Sequence, residues 1–335
     1  MSDFLAQLLE SLLGTFSSPE KRVFVGFLLS AWLIAVVWLV WRQGQSLKDA
    51  LRQLFSRKLW WSRTARADYK LLLANRLVLL LIAPRLLSQL AIATFVFQSM
   101  HQVGLPDSGP DWPPALIAFL FTLWIFLLDD CSRYLLHRWM HTWPVLWPFH
   151  RVHHSATRLT PLTIFRTHPV EGVLFILRTA LVQGLSIGLF VFFFGDRVDL
   201  LTVLGANLFL FAFNALGANL RHSEIPLRYP RGLERWLMSP AQHQLHHSIA
   251  PEHHHCNFGV VLSVWDRLGG SLQHTKAGQS IRYGVPDQRG EAEHGLVGLY
   301  WQPCRRVFDL VVRRIGVARW RRRHRDCPAD YGMEP

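Results

Sequence analysis

Nine of the seventeen histidines in this 335-residue chain fall into a pattern. His137 and His141 stand four residues apart, in the run His137-Arg-Trp-Met-His141. His150-Arg-Val-His153-His154 follows at once, and His243-Gln-Leu-His246-His247 repeats its spacing about ninety residues later. His222 lies between the two regions. Residues at i, i+3 and i+4 share one face of a helix, so each run presents imidazoles together. Neutral imidazole is a good ligand for iron, zinc and copper. A single ion takes three or four protein ligands; nine are too many for one ion and suit two. Paired ions held between facing helices are a known arrangement, usually with carboxylates. Acids are sparse here, so the expected cage is made of histidine. A histidine-rich tract also binds metal adventitiously, but repeated helical spacing in two separate regions argues against that. Spacing alone leaves zinc and iron both open. His101, His274, His294 and His324 lie outside the pattern, and no role is assigned to His168, His253, His254 or His255.

The elements that position these side chains read as membrane helices. Half of the residues are hydrophobic, mean hydropathy is +0.16, and the apolar residues gather in long runs. Runs at 23–41, 71–97, 115–128, 172–194 and 200–216 give about five candidate spans, the first of which cleanly meets the roughly 20 residues a bilayer core requires. The second is interrupted by Arg76, Pro84 and Arg85, which predicts a kink or a buried polar face. Leu5, Leu9 and Leu13 recur at helical spacing and predict a short interfacial helix. Nothing in the first 22 residues resembles a cleavable signal peptide.

Formal net charge is +13. Residues 42–70 carry eight Lys and Arg, whereas 101–114 carry none. By the positive-inside rule the first segment is cytoplasmic and the second is not. Stepping through the spans then puts both histidine regions on the cytoplasmic face. The basic tail, with Arg313, Arg314, Arg319, Arg321, Arg322, Arg323 and Arg325, reads as a solvated, lipid-facing end. No nucleic-acid motif is present, so no nucleic-acid partner is expected. Cys131, Cys256, Cys304 and Cys327 form no CxxC pair and no disulfide framework. The expected fold is all-α: an integral membrane helical bundle under a cytosolic helical cap. Three regions are expected: an anchor at 1–114, a catalytic region at 115–275 and a basic tail at 276–335.

The flanking residues sharpen this reading. The stretch from Asp130 through Tyr134, His137, Arg138 and His141 to Trp147-Pro-Phe-His150-Arg-Val-His153-His154-Ser155 resembles the fatty acid hydroxylase superfamily, also called the sterol desaturase family. Arg166-Thr-His168-Pro169-Val-Glu171 resembles its next motif, and Arg221-His222-Ser223 the one after the last span. Ser239-Pro240-Ala-Gln-His243-Gln-Leu-His246-His247-Ser248 resembles its final histidine box, and Asn257-Phe258-Gly259 with Trp265-Asp266-Arg267 its closing segment. The likeness covers roughly residues 115–272. Two departures stand out: His255 replaces an acid of many members, and Glu224 stands where some carry histidine.

The resemblance implies two iron ions, O2 as co-substrate and a lipid or sterol-like substrate that is hydroxylated or desaturated. It also implies that His137, His141, His150, His153, His154, His222, His243, His246 and His247 are metal ligands. A ligating imidazole donates its other N–H to a carboxylate or carbonyl. Asp129, Asp130, Glu171, Glu224 and Asp266 are the acids available, and Asp130 and Glu224 are taken into the candidate site. Asp130 is favoured because it precedes His137 by two helical turns. No haem or flavin motif and no GxGxxG occurs, so electrons are expected from a separate donor. Zinc remains open as a substituted metal. A zinc hydrolase would be favoured by HExxH, which is absent. A non-catalytic metal-binding membrane protein is the other alternative.

Overall fold

The computed structural model of the chain describes residues 2–106, 109–276, 278–285 and 294–323. His324, Arg325 and Cys327 lie outside the described residues. Among the described residues the regular structure is helical apart from one two-stranded hairpin and two isolated bridges.

Helix α1 (Ser2–Ser17) leaves Leu5, Leu9 and Leu13 exposed along one side. Helix α2 (Val25–Val37) continues through a π turn to Arg42 and buries Ala31, Ala35 and Leu39 in a cluster with Ala50, Leu220 and Ile225. The short helices α3 (Leu47–Leu54) and α4 (Arg57–Trp60) lead to α5 (Arg63–Ile82). Ser46 and Ser62 cap α3 and α5 by accepting hydrogen bonds from Asp49 N and Ala65 N. A 3-10 turn around Pro84 separates α5 from α6 (Gln89–Gln102). The proline ring removes an N–H donor, and the run expected at 71–97 is therefore two helices rather than one.

Helix α7 (Pro114–Thr142) carries the first pair of histidines at its C-terminal end, and α8 (Trp147–His154) carries the second run. Helix α9 (Pro169–Phe194) returns alongside α7: Arg178 bonds Asp129, and Trp124 donates to Ser186. Gly184 and Gly188 face α6. A Cβ at Gly184 would lie 2.6 Å from Ile92 Cβ, and one at Gly188 would lie 2.7 Å from Ala93 O, so only glycine permits this approach.

Among the described residues three stretches are long and apolar enough to cross a membrane: Val25–Arg42, Pro114–Thr142 and Pro169–Arg197. The expected count of about five is thus approximate. The run at 200–216 forms a hairpin, with Thr202 opposite Asn207 and Val203 opposite Ala206, then the eight-residue helix α10 (Leu208–Ala215). The cause is local. Leu204 and Gly205 take positive φ at the turn, and Asn207 caps α10 by accepting from Phe209 N and Leu210 N. Eight residues rise only about 12 Å.

A 3-10 turn, Ala218–His222, brings His222 inward. Helices α11 (Arg231–Glu234), α12 (Pro240–His246) and α13 (Val264–Leu268) complete the cap. Ser239 and Gln242 form a reciprocal capping box that sets the start of α12. Helix α14 (Leu296–Arg323) packs back on the cap: Leu299 joins Ala67, Leu71 and Val152, and the Tyr300 hydroxyl donates to Asn75.

Candidate metal centre

The nine histidines singled out from sequence come together as two groups. His137, His141, His150, His154 and His246 form one; His153, His222, His243 and His247 form the other. Within each group the candidate ligand nitrogens lie within 4.8 Å of one another. Helical geometry explains the division. Consecutive residues on a helix diverge by about 100°. His150 and His154 (i, i+4) therefore join the group of five while His153 joins the group of four. The second run does the reverse: His243 and His247 join the group of four, and His246 the group of five. Each HisXXHisHis run thus serves both groups, and His154 stacks on His247 across the boundary with ring centroids 4.5 Å apart.

Outer contacts fix the rings. His137 Nδ1 lies 2.7 Å from Phe258 O, His246 Nδ1 2.7 Å from Cys256 O, and His150 Nδ1 3.0 Å from Glu171 Oε1. Each of these acceptors receives a hydrogen bond from the ring's Nδ1–H, so Nε2 of each ring carries a lone pair turned inward. His137 Nε2 and His150 Nε2 nevertheless face each other at 3.1 Å, and Nε2 of His141, His154 and His246 is enclosed without a partner. A buried polar atom left unsatisfied costs about 1–3 kcal/mol. Converging lone pairs are stable around a cation, so this donor set fits a metal ion. In the group of four, Nε2 of His222 lies 3.0 Å from that of His243 and 3.2 Å from that of His247. Ligands at right angles on one ion, about 2.1 Å from it, stand about 3.0 Å apart, against about 3.4 Å for a tetrahedron. The observed separations, 3.0 and 3.2 Å, fall within this range, so the three nitrogens can share one ion.

Burial keeps the cap imidazoles neutral, the form that binds metal. It holds His150 and His153 down at about 3 and pushes His154, His222, His243, His246 and His247 well below the usual histidine range.

Residues 122–271 match the fatty acid hydroxylase family model. Over 216 residues the chain is 26% identical to alkylglycerol monooxygenase of Danio rerio, covering 64% of this chain and 42% of the relative. It is 27% identical over 208 residues to ornithine lipid hydroxylase OlsE of Rhizobium tropici (62% and 55%). It is 31% identical over 157 residues to Delta(7)-sterol 5(6)-desaturase of Eremothecium gossypii (46% and 38%). Through this region, which is under half of the chain, these matches support the fatty acid hydroxylase superfamily. The chain spans about half the length of these relatives, and among solved structures no match is found.

The hydroxylase region uses its acids differently from the expectation. Asp130 touches none of the nine histidines. It accepts from Val261 N, Leu262 N and Trp265 Nε1, so it ties the closing segment to α7. It shares a face of α7 with His137 but stands about 10 Å along the axis from it, so it meets Val261 and Leu262 where His137 meets Phe258. Glu224 is partly exposed and pairs with Arg158 at 3.3 Å, away from the histidines. Asp129 binds Arg133 and Arg178. Of the five acids considered, Glu171 alone contacts a cage ring. Asp266 acts at one remove: it accepts from Phe258 N and Gly259 N and so steadies the carbonyl that His137 meets. His255 and Asn257 take positive φ, which shapes the loop presenting the Cys256 and Phe258 carbonyls. His168 caps α9 through Val170 N and reaches Tyr300 O, His253 bonds Ser248, and His254 and His255 are exposed. Sequence reasoning missed the two backbone carbonyls, which carry no residue-type signal, and also Arg22, whose Nη2 lies 3.3 Å from His222 Nδ1.

Proposed function

We propose that this protein is a membrane-bound, O2-dependent, non-haem di-iron oxidoreductase that hydroxylates or desaturates a lipid or sterol-like substrate. The observation that carries the proposal is the pair of adjacent histidine groups, five and four, whose inward nitrogens face one another without other partners. The relatives' names supply the substrate class: alkylglycerol, ornithine lipid and sterol.

In this reading His137, His141, His150, His154 and His246 hold one ion, and His153, His222, His243 and His247 hold the other. When bound, a pair of iron ions supplies the oxidising power that an unactivated C–H bond demands and no side chain has. The chain supplies position and dryness. Glu171 and the carbonyls of Phe258 and Cys256 hold three rings by their outer nitrogens, which fixes tautomer and orientation. Eight of the nine rings are buried, so water is excluded from the centre. Asp130 and Asp266 lock the 258–266 segment against α7 and so act as positioning residues. The catalytic face is cytoplasmic because the cap packs on the basic segment 42–70, Ala50 against Leu220 and Ile225 and Asp68 against Arg166, and electrons come from a separate donor.

The test is product formation. Purified protein, loaded with iron and given a chemical reductant and a membrane lipid extract, is assayed by mass spectrometry for products one oxygen heavier or two hydrogens lighter. The products require O2 and disappear in His137→Ala. Absence of any O2-dependent product across sterol, acyl and ether lipid pools counts against the proposal.

A further inference from the structure

The outer nitrogens of the cage are treated unequally. In the group of five, His137, His150 and His246 meet two carbonyls and a carboxylate. In the group of four, Nδ1 of His243, His247 and His153 has no partner, and Nδ1 of His222 faces the guanidinium of Arg22. Arginine has only donors. A neutral imidazole that binds metal through Nε2 carries its proton on Nδ1, so at this point donor meets donor. Arg22 forms no ion pair among the described residues, its Nε is enclosed without a partner, and the charges acting on it are two further cations, Arg221 and Arg133. Charge balance points the same way. Two divalent ions bring four positive charges among nine neutral rings, and among the described residues Glu171 is the sole carboxylate hydrogen-bonded to any of those nine. Uncompensated buried charge is strongly unfavourable.

We propose that the structure carries a binding site for an oxyanion of carboxylate size where the guanidinium of Arg22 and the Nδ1–H of His222 converge, 3.3 Å apart, the anion bridging the two donors from one side. The anion accepts from both donors and completes for His222 the acceptor contact that Glu171 gives His150. The site joins a residue outside the matched region to a ring inside it, because the backbone carbonyl of Arg22 is held by Asn219 Nδ2 at 2.9 Å. Arg22 is partly exposed. Two sources share this chemistry, a free small oxyanion and the carboxylate head of a lipid.

The inference rests on the two-metal reading, and the test separates them. The full chain in detergent is loaded with cobalt(II), its metal content is measured, and its visible absorption is followed while formate is added. In the wild type the spectrum changes and saturates. In Arg22→Gln the cobalt content is unchanged, but formate affinity falls about tenfold or more, the loss expected for a charge-assisted hydrogen bond. Arg22→Lys keeps the charge and stays within about threefold of wild type. Glu20→Gln, in the same loop, binds formate as wild type does. A parallel titration with palmitate identifies the source: tighter binding than formate assigns a lipid carboxylate, weaker binding a free oxyanion. Equal formate affinity in wild type and Arg22→Gln, or a response that never saturates, overturns the site. Failure of the wild type to bind cobalt at all overturns the two-metal reading instead.

Discussion

Glu171 Oε1 lies 3.0 Å from Nδ1 of His150, and both side chains are buried. This contact joins α9 to the second histidine run on α8, and it is the one place where a carboxylate touches the cage. A carboxylate behind a ligating imidazole fixes its orientation and raises its basicity, and loss of such a partner costs 10–100-fold in metal affinity. Glu171→Gln is therefore expected to weaken the group of five by about that factor and to leave the group of four intact. Chelator titration with metal analysis reads this directly: one ion per chain is released early and the second is retained. Release of both ions together would show that the two groups do not bind independently.

Asp130 and Glu224 make a contrasting pair. Asp130 accepts three hydrogen bonds in a buried setting, and Asn in its place turns an NH2 toward at least one of those donors. Asp130→Asn is expected to destabilise the fold by about 2–3 kcal/mol, seen as a midpoint lowered by several degrees in detergent. Glu224 pairs with Arg158 at a partly exposed position, and such pairs contribute little. Glu224→Gln is expected to leave metal content and midpoint unchanged. A large loss of metal in Glu224→Gln would restore it to the centre.

The sequence made the cage legible because imidazole type and helical spacing act locally. His150, His153 and His154 had to project from one helix, and the same holds for His243, His246 and His247. Their division between two groups follows from the angular step along a helix and needed only the structure's relative placement of α8 and α12. The supporting contacts were not legible, for a physical reason. Phe258 and Cys256 act through carbonyls, which every residue has. Asp130 precedes His137 by two turns on the same face, but that step also carries it about 10 Å along the axis, and its partners come from 131 to 135 residues away. The run at 200–216 had the composition of a span, yet Gly205 and Asn207 carried a turn and a cap that hydropathy does not register.

Gly188 allows α6 and α9 to touch, since a Cβ there would lie 2.7 Å from Ala93 O and 2.8 Å from Val96 Cβ. Gly188→Leu must push the helices apart, and overpacking of this kind costs about 1–3 kcal/mol. The expected result is a lowered thermal midpoint with metal content retained in the folded fraction, because the contact lies far along α9 from Glu171. An unchanged midpoint would mean that α6 is not seated on α9 as described.

Removal of metal should expose the cost of burying neutral histidines. Burial holds His150 and His153 at about 3 in the folded chain, against about 6.5 unfolded. Between those values the unfolded chain binds more protons than the folded one. Stability is therefore fully present above pH 6.5 and declines as pH falls toward 3, by about 1.4 kcal/mol per pH unit for each such ring. Bound metal competes with those protons for the unfolded chain's alternative and holds the rings in place. The metal-free protein is expected to unfold at a distinctly higher pH than the metal-loaded protein, with a steeper dependence than one histidine produces. Acid titration of both forms, followed by tryptophan fluorescence in the same detergent, measures the two midpoints. Coincident midpoints would mean that the imidazoles of the empty cage are hydrated and free to charge, contrary to their burial.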